Sequence, residues 1–233
     1  MSRQLTLAVK LPRDPALDSF VPGPNAETLA AVRACAEDSG EPYLYLWGPS
    51  GSGKTHLLLA ASRQLEGLGA PSQYLDLGLA GLHPDMLQGL ERMELVCLDN
   101  IQLVTGDRDW ERALFDLFNR LREAERRLLA AAHVPVAELG LRLPDLRSRL
   151  NWGPAFRLRL LDDSQRLQLL EVAAHARGMN LDPKAAEYIL RHCPRDPHSL
   201  ARILDRIEDA TLAEKRAPKL HFLRKVLAEG VDT

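Results

Sequence analysis

The sequence predicts an α/β protein: a five-stranded parallel sheet built around a phosphate-binding loop, followed by a small all-helical domain. Three observations carry this expectation. Gly48-Pro49-Ser50-Gly51-Ser52-Gly53-Lys54-Thr55 reads G-x-x-x-x-G-K-T and stands between an apolar run suited to a buried strand and a run suited to a helix. Short apolar runs alternate with helical patterns of about ten residues or more, which demands crossover connections and parallel pairing covered on both faces. Beyond residue 161 the strand pattern stops and only helical periodicity remains.

Composition bounds the possibilities. The chain has 233 residues, 45% of them apolar, enough to bury a sizeable core. A formal net charge of −2 gives no overall basic field, so nucleic-acid binding is disfavoured as the main activity and any link to DNA is expected to be indirect. Cys35, Cys97 and Cys193 are odd in number and widely spaced, which indicates neither a disulfide framework nor a zinc site. The amino-terminal apolar stretch is broken by Lys10 and Pro12, and no run approaches a membrane span, so a soluble, cytoplasmic protein with no membrane partner is expected.

Each element has its own signal. Residues 1–11 are apolar yet too short to build structure, and they suit either an edge strand of the chain's own sheet or a peptide offered to a partner. Asn25 is a plausible N-cap for a helix running to about Asp38 and ended by Gly40. Strands follow at 43–47, 73–77, 95–98, 128–132 and 156–160. A helix over 110–124 carries Leu114, Leu117, Phe118 and Leu121 on its apolar stripe, which assigns its Arg and Glu residues to a solvated face. In the second domain, Asp162 with Gln165 forms a capping box before a helix over 164–177, stopped by Gly178. Asp182-Pro183 opens the next helix, and Asp196-Pro197 opens a third with Leu200, Leu204, Ile207 and Thr211 on one face. A short last helix over 222–228 follows Pro218, so the domains divide into 12–161 and 162–233.

The chemistry gathers at the loop. Glycines at 48, 51 and 53 let the backbone wrap a phosphate, and the helix start adds the positive end of its dipole. Lys54 is expected to bridge the terminal phosphates of ADP or ATP, and the Thr55 hydroxyl to hold Mg²⁺. Leu95-Val96-Cys97-Leu98-Asp99 is an apolar strand ending in a carboxylate, placed to orient the same Mg²⁺ through water. Asn100 stands next, where a carboxylate would polarise the attacking water; an amide takes no proton, so weak intrinsic ATP hydrolysis is expected at most.

The segment 143–153, Leu-Pro-Asp-Leu-Arg-Ser-Arg-Leu-Asn-Trp-Gly, together with Phe20-Val21-Pro22-Gly23 and Asp99-Asn100-Ile101-Gln102, resembles the AAA+ P-loop family of the bacterial initiator DnaA, and within it most closely the shorter Hda branch. The resemblance runs over nearly the whole chain and implies an AAA+ module with a carboxy-terminal helical lid. It implies that Arg149 matches the arginine finger that acts on a neighbouring subunit's ATP, and that Val21 and His198 join the nucleotide-contacting residues. It further implies that Gln4, Leu5, Thr6, Leu7, Ala8 and Val9 form a peptide for the DNA polymerase III β sliding clamp. The function implied is stimulation of hydrolysis of DnaA-bound ATP, limiting re-initiation of replication, with DnaA and the clamp as partners and a homo-oligomer open. An ATP-driven helicase or transposase loader is the alternative. Two positions depart from the family pattern: His133 stands where a polar or acidic sensor is expected, and His198 where a sensor arginine would open the third lid helix. Either histidine also suits a surface or capping role. Arg142, Arg147, Arg149, Arg157 and Arg159 cluster with only Asp145 nearby, and Arg157 and Arg159 also suit the solvated face of an edge strand.

Overall fold

The computed structural model describes residues 15–194, 196–214 and 220–228. Its first part alternates α1 (Ala26–Ala36), β1 (Tyr43–Trp47), α2 (Lys54–Gly67), β2 (Ser72–Asp76), β3 (Leu95–Asp99), α3 (Arg108–Glu123), β4 (Arg127–Ala132), α4 (Pro144–Leu150) and β5 (Ala155–Arg157). All five strands are parallel, in the order β2-β3-β4-β1-β5, as the long connections require. Alternate side chains feed two cores. Tyr43, Tyr45, Val96, Leu98 and Leu128 face α3 and α4, while Leu44, Leu46, Leu95, Cys97 and Leu129 face α1 and α2. Both faces are buried, so each such Leu or Val contributes about 1.5–3 kcal/mol. Small residues at the sheet centre make room for large ones: Ala130, Ala131 and Ala132 lie beside Tyr45, Leu46 and Trp47.

Five expectations need correction. Asn25 sits before α1 but does not cap it; buried to 1% exposure, its amide donates to Arg159 O at 2.9 Å and its carbonyl accepts from Arg159 N at 2.8 Å. The side chain therefore acts as one rung of a strand pair. The helix ends at Ala36 instead of Asp38, because Arg127, 8% exposed, donates to Cys35 O and Ala36 O and closes it there. Strand β4 accordingly starts one residue before Leu128, on a charged residue that apolar periodicity passes over. Strand β5 covers Ala155–Arg157 instead of 156–160, since its partner β1 ends at Trp47 and the last rung is Leu158 N to Trp47 O at 2.7 Å. Lastly, Glu111 of α3 is not on a solvated face but buried to 1%.

The second part contains α5 (Asp163–His175), α6 (Pro183–His192), α7 (Pro197–Glu214) and α8 (Leu220–Ala228) around its own core of Leu170, Ala174, Ile189, Leu204, Ile207 and Leu223. The capping box forms as expected, with Asp162 accepting from Gln165 N and Gln165 accepting from Asp162 N. Asp182 accepts from Lys184 N, and Asp196 from Ser199 N. Inside this bundle Arg177 pairs with Asp205 at 2.9 Å. Among the described residues no helix is long and apolar enough to cross a membrane. The amino-terminal peptide, Gln4 to Val9, lies outside the described residues.

Candidate functional site

The loop between β1 and α2 is a cradle that only glycine fits. Gly48 has φ 152°, and a Cβ there would collide with Leu158 O; Gly53 has φ 98°, and a Cβ would meet the Phe20 ring at 2.7 Å. The backbone thus runs in contact with the strand that leads to the helical part and with the segment that holds Val21. Val21 itself is buried, and Phe20 also tilts against His56, with ring centroids 5.6 Å apart. His56 bonds Ala16 O at 3.0 Å, tying the chain's entry to α2.

Lys54 points back into the loop. Its Nζ donates to Gly48 O at 2.7 Å and Pro49 O at 2.9 Å, and the residue is only 4% exposed. Burial pulls its pKa down, and the negative charge of Asp99 partly opposes that. Asp99, 1% exposed at the end of β3, is met by three donors: Thr55 Oγ1 at 2.6 Å and Tyr74 Oη at 3.1 Å reach Oδ2, and Asn100 N reaches Oδ1 at 2.9 Å. Thr55 and Asp99, both expected at the metal, meet here. Tyr74, whose sequence position signals no such role, joins them from β2 because β2 pairs with β3 in register Tyr74↔Cys97. Burial and the Asp99 charge push the Tyr74 phenol well above its ordinary range, so it remains a donor.

The arrangement passes a chemical test for a phosphate and a divalent cation. A glycine cradle with a buried ammonium suits a polyphosphate, and a hydroxyl beside a carboxylate offers two hard oxygens. Among the described residues no group of three or more His, Cys, Asp or Glu converges, so the rest of a cation's shell falls to phosphate and water. Asn100, at φ 58°, has both amide atoms engaged: Nδ2 donates to Asp76 at 2.7 Å and Oδ1 accepts from Gln102 at 3.3 Å. His133, whose N–H donates to Gln102 Oε1 at 3.2 Å, has its pKa lowered by desolvation and then by the Lys54 charge. His198 falls in the first turn of α7, and its side chain is outside the description.

Arg149 lies elsewhere. It is half-buried near the end of α4, its guanidinium carbon 5.4 Å from the Trp152 ring centroid, 5.8 Å from Phe115 and 6.0 Å from Phe118. Phe118 meets Tyr43 edge to face at 5.2 Å, Tyr43 Oη donates to Leu150 O at 3.1 Å, and Gly153 presses on Tyr43 O. Tyr43 is the first residue of β1, whereas the phosphate-type loop follows the last. A strand of this length separates them by roughly 13–16 Å at about 3.3 Å per residue. Arg157, by contrast, stands at the loop end of β1, its guanidinium carbon 5.2 Å over the ring of Trp47, the residue before Gly48.

Comparison with known proteins agrees with the architecture. A family model described as the bacterial DnaA ATPase domain matches residues 11–73, and one described as the Hda lid domain matches residues 163–227. Domain III of the Thermotoga maritima replication initiation protein DnaA superposes with a TM-score of 0.77 at 17% identity, over 95% of this chain and 98% of that one. AMPPCP-bound DnaA from Aquifex aeolicus gives 0.68 at 20% identity, over 94% of this chain and 70% of that one. The Thermotoga maritima RuvB Holliday junction branch migration motor gives 0.68 at 20%, over 93% and 72%. At such identities these likenesses speak for the fold.

Proposed function

Because the chain is an AAA+ protein related to Hda and DnaA, we propose that it binds an adenine nucleotide and Mg²⁺ at its own loop and stimulates hydrolysis of ATP held by DnaA. The observation that carries this is the position of Arg149 at the opposite end of β1 from the chain's own loop. From there a guanidinium serves a neighbouring subunit's phosphate, not its own. Arginine suits that task, because its charge is permanent and its planar fork matches phosphoryl oxygens.

In this reading Gly48 to Gly53, Lys54 and Thr55 would hold the phosphates, Asp99 and Thr55 would hold the metal, and Val21 would contact the nucleotide. A bound nucleotide would supply the negative charge that the Lys54 ammonium faces, and a cation would offset the charge of Asp99. Asn100 can take no proton and is bonded to Asp76, so the chain's own turnover is slow. On DnaA, water attacks the γ-phosphorus, the bond to the β,γ-bridging oxygen breaks, and Arg149 stabilises the charge that develops. Gln4, Leu5, Thr6, Leu7, Ala8 and Val9 would tether the chain to the β sliding clamp, raising its effective concentration near DNA-bound DnaA.

The test mixes the chain with ATP-loaded DnaA, clamp and DNA, and follows ADP production with each component omitted in turn. Arg149→Ala is expected to lower the stimulated rate by about 10³-fold or more while ADP binding by the chain persists. Unchanged stimulation by Arg149→Ala would sink the reading.

A further inference from the structure

Among the described residues no ion pair holds Arg149; its surroundings come from Trp152, just past α4, and from one stripe of α3. Glu111, Phe115, Phe118 and Arg122 follow one another at spacings of four, three and four, which places them on one face of that helix. We propose that this stripe is a rack that sets the position of the Arg149 guanidinium, with Glu111, Arg122 and Trp152 as positioning residues. The inference rests on the trans-acting role of Arg149 stated above.

At one end Glu111 fixes where α4 begins. Its carboxylate accepts from Gly106 N at 2.8 Å, Arg142 N at 2.9 Å and Leu143 N at 2.7 Å. Leu143 is the N-cap position of α4 and has no side-chain cap of its own, and Pro144 follows it. The anchor of that helix is therefore a buried carboxylate on α3. At the other end Arg122 lies 4.1 Å over the Trp152 ring, and Arg149 lies 5.4 Å from the same ring. Two like charges beside one another would separate on a bare surface; the negative faces of a shared indole hold both. Trp152 is 57% exposed, so core filling does not account for its place. Phe115 and Phe118 bound the space between, and the Tyr43–Leu150 bond locks the far end of α4.

A charge on a long flexible stem delivers its effect only where it is placed beforehand, and a misplacement of about 1 Å can cost on the order of 100-fold in rate. The stimulated ADP-production assay, run with the full chain, DnaA, clamp and DNA, reads this directly. Glu111→Gln and Trp152→Ala are expected to lower the maximal rate about tenfold to hundredfold. The concentration for half-maximal stimulation and the chain's own ADP affinity stay as in wild type. Trp152→Phe, which keeps an aromatic face, recovers most of the rate, and Arg122→Met falls between. If Arg149→Ala abolishes stimulation while Glu111→Gln and Trp152→Ala work at the wild-type rate, the trans-acting role stands and the rack is refuted. If Arg149→Ala is itself silent, both fall. If Trp152→Ala loses ADP affinity and melting temperature in proportion to its rate, or if Trp152→Phe rescues nothing, Trp152 is a structural part and the positioning role is overturned.

Discussion

Replacing Lys54 with methionine separates what the ammonium does for phosphate from what it does for the loop. The two side chains are similar in length, so packing changes little and the charge is the variable. A charge-assisted hydrogen bond is worth about 1.5–3 kcal/mol. In the free chain Nζ already donates to Gly48 O and Pro49 O, so binding exchanges partners as well as adding them, and the lower half of the range applies. Lys54→Met is thus expected to weaken Mg²⁺–ADP binding by about 1.5–2 kcal/mol, roughly 10–30-fold, measured by titration calorimetry. Burial disfavours this ammonium, and the Asp99 charge offsets only part of that, so the folded state at neutral pH gains little from holding it. The melting temperature of the free variant should therefore stay within about 4 °C of wild type, corresponding to about 1 kcal/mol. Equal ADP affinity in wild type and variant would refute the assignment of the loop as the site. A fall of about 10 °C in the free protein would show instead that the lysine is chiefly a staple for the loop.

Two further outcomes can be measured. Tyr74→Phe removes one donor to Asp99 Oδ2 while keeping the ring, so Mg²⁺-dependent ADP affinity should fall about threefold to tenfold, with no change in EDTA; an equal loss in both conditions would rule out a role at the carboxylate. For Glu111, burial pushes the pKa up, but the backbone amides of Arg142, Gly106 and Leu143, aided by the Arg142 charge, outweigh it and hold the value below 4.5. Its stabilisation is therefore fully present above about pH 4.5 and is lost as pH falls through the lowered folded value. Glu111→Gln should cost about 2–3 kcal/mol by urea unfolding at neutral pH, and that difference should shrink as pH falls progressively below about 4.5; a pH-independent gap would mean the carboxylate charge is not what matters.

What could be read in the sequence was what is local. The loop from Gly48 to Thr55, the carboxylate closing the third strand and the Asp162–Gln165 box each declare themselves within eight residues, and each is where the pattern put it. Side chains whose partners are distant in the chain were misread or passed over. Asn25 has the look of an N-cap because Asn is common there, yet Arg159 offers it both a donor and an acceptor. Glu111 falls among charged residues that periodicity assigns to water, and three amides from two loops capture it instead. Tyr74 reads as one more strand residue; only the β2–β3 register brings its hydroxyl to Asp99. Arg149 was marked through resemblance, but no short-range pattern could say that its setting is three aromatic rings.

The bond from Asn25 to Arg159 spans 134 residues of sequence, and this has a consequence for how the chain reaches its native state. Strand β1 also receives both its neighbours, β4 and β5, from segments that follow it by about a hundred residues. Contacts of such separation form slowly, because the loop-closure entropy must be met before they return anything. During synthesis the glycine loop and α2 emerge long before Leu158 arrives to lie against Gly48. A ribosome-bound chain stopped before residue 155 would hold a complete P-loop sequence but an unpaired edge on β1 and nothing for Asn25 to grip. The nucleotide loop is thus among the first segments made and among the last to be set.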